Sequence, residues 1–313
     1  MSNCRVCGGT TEVAVVASER MLGLGGEFPY DQCAACGCLQ IREIPADLGR
    51  YYPSTYYAFR SRSALVMRAR RALRRVRDAL AIGTGVRAAR WIAPLLSPAM
   101  LAMRNWFERT GTTCASRILD VGCGTGDAIG RLADQGYAHV RGVDPFIDGP
   151  VYHCGRLLVQ KGTLDDVTGQ FDLIMFHHSL EHIADQRGTL ARVAELLAPA
   201  GWCLIRVPTI DSDAWEEYRD RWVQLDAPRH LTLHSTSSMS RLADSVGLQV
   251  VAVDHDSTAF QFEVSELYRR DRPMSELARS GFSRRQRRGF AARAAALNAA
   301  GRGDQAAFYL RHR

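Results

Sequence analysis

The chain has 313 residues, of which 46% are hydrophobic and 23% charged, with a formal net charge of +7 at pH 7. That length and apolar content suffice for a full α/β core with a small appended module, and they exclude a largely disordered chain. There is no run of 18 or more uncharged apolar residues and no basic and apolar leader, so the expectation is a cytoplasmic protein.

Four of the nine cysteines fall in two pairs, Cys4-x-x-Cys7 and Cys33-x-x-Cys36, each followed by glycine, Gly8 and Gly37. Two tight turns of this kind point four thiolates inward, the donor set of a closed, tetrahedral, structural zinc. Disulfides are the alternative, and no export signal supports them. Residues 1–48 therefore read as a zinc-ribbon-like module, with strands at Ala14–Val16 and Leu39–Ile44 and with Cys38 as an extra thiol. Few basic residues surround the knuckles, which argues against a strong grip on phosphates. The tyrosine-rich YYPSTYYAF, Tyr51 to Phe59, suits either interdomain packing or a substrate wall.

Arg60 to Arg90 holds ten arginines against the single acid Asp78. Leu65, Val66, Ala69, Leu73, Val76 and Leu80 recur at helical spacing, which predicts a basic amphipathic helix. It could be a lid with an arginine-lined entrance for an anionic substrate, a segment lying on an anionic membrane, or a solvated cap. A second helix follows Pro94 or Pro98. Residues 49–112 are thus a tyrosine-rich linker and basic helical segment ahead of a main domain at 113–313.

That domain alternates strand and helix. Strands are expected at Arg117–Val121, His139–Val143, Leu157–Gln160, Phe171–Phe176, Trp202–Val207, Gln249–Asp254 and Gln305–Leu310. Helices are expected near Ile129–Gln135, Thr189–Leu197 and Ser237–Val246. Such alternation implies an α/β, doubly wound, mostly parallel seven-stranded sheet with right-handed crossovers. An insertion occupies about 257–303. At the first strand the text is RILDVGCGTGD: Asp120 lies near the strand's end, and Gly122, Gly124 and Gly126 lead into a helix. Glycines there let backbone N–H groups approach a ligand. Asp144 ends the second strand about 20 residues on, where a nucleotide's ribose hydroxyls are held.

ILDVGCGTG, Ile118 to Gly126, resembles the first motif of the class I S-adenosylmethionine-dependent methyltransferases. The layout as a whole resembles bacterial enzymes of sugar, surface-polysaccharide or natural-product assembly. The resemblance covers about Arg117 to Val253. It implies that Asp120 and Gly122 to Gly126, with Cys123 among them, surround the methionine end of the cofactor, and that Asp144 takes the ribose. Thr163 and Leu164 would frame the adenine; the family's usual acid near that loop is displaced to Asp165 and Asp166. In the family the last strand runs antiparallel beside the fifth, matching QAAFYL.

The fourth strand ends in FHHSLEHI, Phe176 to Ile183. Successive strand residues face opposite sides, so only one of His177 and His178 need face the cofactor cleft. His177 is taken as a cofactor-binding residue and His178 as the base for the proton of the acceptor. Glu181 would orient a histidine. The E-H pair Glu181-His182 resembles a segment of ubiquinone-pathway O-methyltransferases, some of which use a divalent cation; the further acid of that segment is replaced here by His178 and Ser179. After the fifth strand, the PRHLTLHS text resembles a loop in which a histidine lies above the cofactor, making His230 the alternate base and Trp222 a candidate wall. His230 and His234 are spaced as H-x-x-x-H without a clear third ligand.

Three functions follow as alternatives. The first is methyl transfer from S-adenosylmethionine to a small-molecule acceptor, aided by a histidine base. An RNA or protein methyltransferase is disfavoured because no N/D-P-P-Y/F follows the fourth strand. The third is a non-catalytic nucleotide-binding module. A dinucleotide oxidoreductase is disfavoured because Asp127 stands where G-x-G-x-x-G needs its third glycine.

Overall fold

The structure is a computed structural model that describes residues 3–53 and 98–313. The basic helix expected within Arg60–Arg90 and the tyrosines beyond Tyr52 lie outside the described residues. Among the described residues no helix is long and apolar enough to cross a membrane.

The chain forms two compact units: Met1–Pro53 with Phe176–Ala194 and Ile205–Arg313, and Ser54–Met175 with Glu195–Leu204. The second unit carries helix α1 (Pro98–Thr110), then β4 (Arg117–Val121), α2 (Asp127–Asp134), β5 (His139–Asp144), β6 (Val151–His153) and β7 (Arg156–Lys161). Strands β4 and β5 are parallel, with Val121 opposite Val143, and β5 and β7 are parallel, with Asp144 opposite Lys161. Ile118, Leu119, Val143 and Val159 are all but fully buried. Near-continuous apolar text of this sort marks strands covered on both faces.

Sheet order is β11-β12-β9-β8-β4-β5-β7-β6, from β8 (Phe171–His177), β9 (Leu197–Pro208), β11 (Leu248–His255) and β12 (Gln305–His312). The expected seven strands are all present, but the sheet has eight. The extra strand, β6, pairs antiparallel with β7 around Cys154 and Gly155, both at positive φ (51° and 79°). Positive φ at both centres of a two-residue loop is the twist-matched hairpin turn, so a short arm precedes β7 and folds against it. Strand β12 is antiparallel to β11.

In the first unit, β1 (Thr11–Ser18), β2 (Glu27–Cys33), β3 (Leu39–Ile41) and β10 (Thr232–Leu233) form a four-stranded sheet. The N-terminal segment does not build a core of its own. Phe28, Tyr30, Leu39 and Ile41 share one buried cluster with Trp215, Trp222, Leu225 and Phe262. Fewer than about 50 residues cannot bury enough surface alone, and a later strand, β10, completes the sheet. The remaining helices are α3 (Gln186–Leu196), α4 (Asp213–Tyr218), α5 (Thr236–Asp244), α6 (Phe260–Arg269) and α7 (Arg284–Ala299). The last two, with a 3-10 turn at Met274–Arg279, fill the interval between β11 and β12.

Candidate functional site

In the second unit, β4 delivers Asp120 and Val121 into a turn where Gly122, Gly124 and Gly126 have φ of 72°, 55° and 78°. All three lie in the left-handed region that favours glycine. Gly126 also abuts the sheet: a Cβ there would stand 2.5 Å from Cγ2 of Val159. Asp144, 5% exposed, ends β5 and pins the turn. Its Oδ2 accepts the Gly124 N–H at 2.8 Å and its Oδ1 accepts the Phe146 N–H at 2.8 Å. Each carboxylate oxygen has a second lone pair to offer.

Asp120 is 3% exposed and its Oδ1 has no hydrogen-bond partner. Burial, and then the charge of Asp144, raise its carboxyl to about 7. An orphaned buried carboxylate oxygen and an acid at a strand end fit a ligand that brings an ammonium or sulfonium charge and ribose hydroxyls. Cys123 is a filler: its Sγ occupies the space a Cβ on Gly142 would need, and burial with Asp120 and Asp144 holds its thiol protonated. Thr163 caps a 3-10 turn, Leu164–Asp166, by a reciprocal bond to Asp166, which commits that acid locally; Leu164 is buried.

In the first unit the fourth strand's end and the loop after the fifth bring four histidines and an acid together. His178 has positive φ (55°). Its Nδ1 lies 3.3 Å from Glu181 Oε1, and its Nε2 lies 2.5 Å from Arg206 Nη1. A guanidinium only donates, so Nε2 accepts and the proton of the neutral ring sits on Nδ1. Burial and then Arg206 lower His178 to about 3, which keeps the ring neutral. His177 is exposed, its Nε2 2.9 Å from the same Arg206 nitrogen, and Arg206 Nε is held by Asp256 at 2.6 Å.

His182 Nδ1 is 2.9 Å from the Arg229 carbonyl and 2.9 Å from the Tyr52 hydroxyl. His230 Nδ1 is 2.7 Å from the Gln224 carbonyl. Carbonyls only accept, so both rings carry a proton on Nδ1. His230 Nε2 lies 4.0 Å from Glu181 Oε1. The three residues assigned to proton handling, His178, His230 and Glu181, are thus brought together. His182, noted in the sequence only as part of the E-H pair, joins them, as do Arg206 and Tyr52, which only the tertiary pairing reveals.

His234 is not part of the set. It is buried, held by Ser238 and Gln186 at 2.9 and 2.8 Å, and burial lowers it to about 4. The H-x-x-x-H spacing is therefore structural. Trp222 is 1% exposed and donates to Asp304 Oδ2 at 3.0 Å, a core position rather than an open wall.

The thiols of Cys4, Cys7, Cys33 and Cys36 converge within 4.8 Å of one another. The two turns are built alike: Gly8 N–H donates to the Cys4 carbonyl and Gly37 N–H to the Cys33 carbonyl, both at 2.9 Å, with φ of 73° and 78°. Cys38 is fully buried with its Sγ 3.3 Å from that of Cys4. This cysteine cluster is consistent with a small metal-binding module.

Comparison with known proteins agrees with the turn geometry. Over 110 residues the chain is 31% identical to a ubiquinone biosynthesis O-methyltransferase of Aromatoleum aromaticum, covering 31% of this chain and 46% of that protein. Over 98 residues it is 30% identical to a trans-aconitate 2-methyltransferase of Deinococcus radiodurans, covering 30% of this chain and 38% of that one. The chain thus spans less than half the length of these curated relatives. A SAM-dependent methyltransferase structure from Archaeoglobus fulgidus is similar at 17% identity and a TM-score of 0.44, over 69% of this chain and 95% of that one. The methyltransferase domain family matches residues 64–253, more than half of the sequence, and the chain belongs to that family.

Proposed function

We propose that the protein transfers the methyl group of S-adenosylmethionine to a small-molecule acceptor. The observation that carries this reading is Asp144, fixed at the end of β5 by the Gly124 and Phe146 amides with lone pairs left for ribose hydroxyls. Gly122, Cys123, Gly124 and Gly126 would hold the methionine end, Asp120 its positive charge, and Thr163 and Leu164 the adenine. His177 is proposed as a further cofactor-binding residue. When bound, the cofactor supplies an activated methyl on a good leaving group, so the chain's work is to align the acceptor and exclude water.

His178 is the proton acceptor in this reading, with His230 as alternate and Glu181 as the group that fixes the His178 ring. A neutral imidazole with so low a pKa is a weak base toward a free hydroxyl. It is adequate for a proton lost late, once the acceptor oxygen has begun to carry positive charge and has become strongly acidic. The acceptor class proposed is a sugar, surface-polysaccharide or natural-product intermediate. Structural zinc is proposed at Cys4, Cys7, Cys33 and Cys36, which leaves no position open for chemistry.

Transfer of label from methyl-labelled S-adenosylmethionine to small hydroxyl or amine acceptors, with purified full chain, tests the activity. Thermal protection by S-adenosylhomocysteine tests the cofactor separately. Absence of protection at saturating ligand overturns the cofactor assignment. Protection with label recovered only in RNA or protein overturns the small-molecule assignment. Metal analysis is expected to find zinc that Cys4→Ser releases.

A further inference from the structure

We infer that Arg206 selects the acceptor: it covers the proton-accepting nitrogen of His178 until an anionic group of the acceptor, a phosphate or a carboxylate, draws the guanidinium away. The inference rests on the reading of His178 as the proton acceptor.

As it stands, His178 has no ring nitrogen to spare. Its Nε2 accepts from Arg206 Nη1 at 2.5 Å, and its Nδ1 lies 3.3 Å from Glu181 Oε1. An imidazole has only these two polar atoms, so one partner has to leave before a proton can arrive. The ring is the fixed side of this contact. His178 is held at a φ of 55°, its amide N–H donates to the Arg206 carbonyl at 2.9 Å, and Glu181 is buried.

The guanidinium is the side that can turn. Asp256, just beyond β11, accepts from its Nε at 2.6 Å. Gln305, the first residue of β12, donates Nε2 to the other oxygen of that carboxylate at 2.8 Å. The Nε end is therefore anchored. At the other end the two hydrogens of Nη1 go to two imidazoles, Nε2 of His178 and Nε2 of His177 at 2.9 Å. His177 is exposed, so solutes reach this end.

The chemistry of that exchange selects an anion. A guanidinium bond to an oxyanion is roughly twice as strong as one to a neutral acceptor, and the planar fork matches carboxylate and phosphate geometry. A neutral hydroxyl has no such advantage over an imidazole nitrogen. The same event makes His178 a better base. Burial, then Arg206 and His230, lower its proton affinity, whereas Asp256 and Gln305 raise it. An anion on Arg206 removes one of the opposing charges and uncovers Nε2. The acceptor's O–H or N–H then loses its proton to Nε2, and the resulting imidazolium faces the Glu181 carboxylate across Nδ1–H. A neutral acceptor leaves Arg206 in place and the base covered.

Long-range proton–nitrogen NMR of the histidine rings in isotope-labelled full chain tests this without cofactor or activity, the His178 signal being the one lost in His178→Gln. Inorganic phosphate and succinate are the probes. Either anion, at saturation, is expected to raise the proton affinity of His178 by about tenfold or more. Arg206→Gln should raise it with no anion present and abolish the response. Asp256→Asn removes the carboxylate that competes for the guanidinium and should tighten anion binding by about tenfold or more. Lost packing cannot produce that gain, so Asp256→Asn decides the matter if near-UV circular dichroism shows Arg206→Gln unfolded. A response to phosphate alone assigns a phosphate-bearing acceptor, and a response to succinate alone a carboxylate-bearing one. No saturable effect of either anion on His178, an unchanged His178 titration in folded Arg206→Gln, or unaltered anion binding in Asp256→Asn would each overturn the inference. S-adenosylhomocysteine protection of the same samples separates the two readings. Protected protein whose His178 ignores both anions loses the role of Arg206 and keeps methyl transfer, whereas an anion response in unprotected protein keeps the Arg206 contact and loses methyl transfer.

Discussion

The carboxylate of Asp144 and the amide of Gly124 meet at 2.8 Å, joining the end of one strand to the glycine turn that follows its neighbour. The acid therefore fixes the loop before any ligand arrives. Asp144→Ala removes both the loop brace and the proposed ribose acceptor. Hydrogen bonds to a charged group are worth about 1.5–3 kcal/mol each, so S-adenosylhomocysteine affinity should fall on the order of 100-fold. Isothermal titration checks it; an unchanged affinity would remove Asp144 from the site.

Gly126→Ala should destabilise the domain even without ligand. The new Cβ is forced to φ of 78° and stands 2.5 Å from Val159. Left-handed strain of about 1–2 kcal/mol adds to an overpacking cost of about 1–3 kcal/mol. Urea unfolding measures the sum.

Asp120 gives the unliganded protein a pH signature. Its folded-state pKa is raised to about 7 by burial and by Asp144, above the ordinary value of about 3.9 for an unfolded chain. The folded state then holds the proton more tightly, so the stability it contributes is complete below about pH 4 and is lost as pH rises toward 7. Asp120→Asn should flatten that decline in unfolding free energy across the window. A slope unchanged by the substitution would place the titration elsewhere.

Arg229 lies fully buried between Glu19 at 2.8 Å and Asp226 at 2.6 Å. Replacing it with methionine strands two carboxylates and should cost about 3–5 kcal/mol. Glu19 also accepts the Leu22 and Leu24 amides, so Glu19→Gln added to Arg229→Met should recover only part of the loss. Denaturation of the single and double variants gives the coupling.

Trp222→Phe should show pH-dependent damage. The indole N–H favours the charged form of Asp304, whose carboxyl burial has raised to about 6. Its loss should cost about 1.5–3 kcal/mol at about pH 8, where the carboxylate is ionised, and less at about pH 5. Equal costs at both pH values would mean that Asp304 does not titrate there.

The repeating apolar text of β4, β5, β8 and β12 and the glycines between Gly122 and Gly126 were enough to read the α/β class and the cofactor turn. Buried strands and positive-φ turns each restrict residue type locally. The cysteine knuckles were legible for the same reason, since each repeats one short turn. The hairpin arm β6 escaped because its turn uses Cys154 and Gly155, a weak pairing for that conformation.

The sequence by itself determined those local devices: the strand-turn-helix around Gly124, the acid at Asp144 and the paired thiols. Tertiary structure alone decided which distant groups meet. It placed Trp222 in the core against Asp304, joined the N-terminal segment to the cluster around Phe262, tied His234 to Gln186, and set His230 beside Glu181 and His182. The physical reason is that a histidine's tautomer and an acid's missing partner are properties of what surrounds them. Those surroundings come from loops far apart in the chain, and no spacing along it records them.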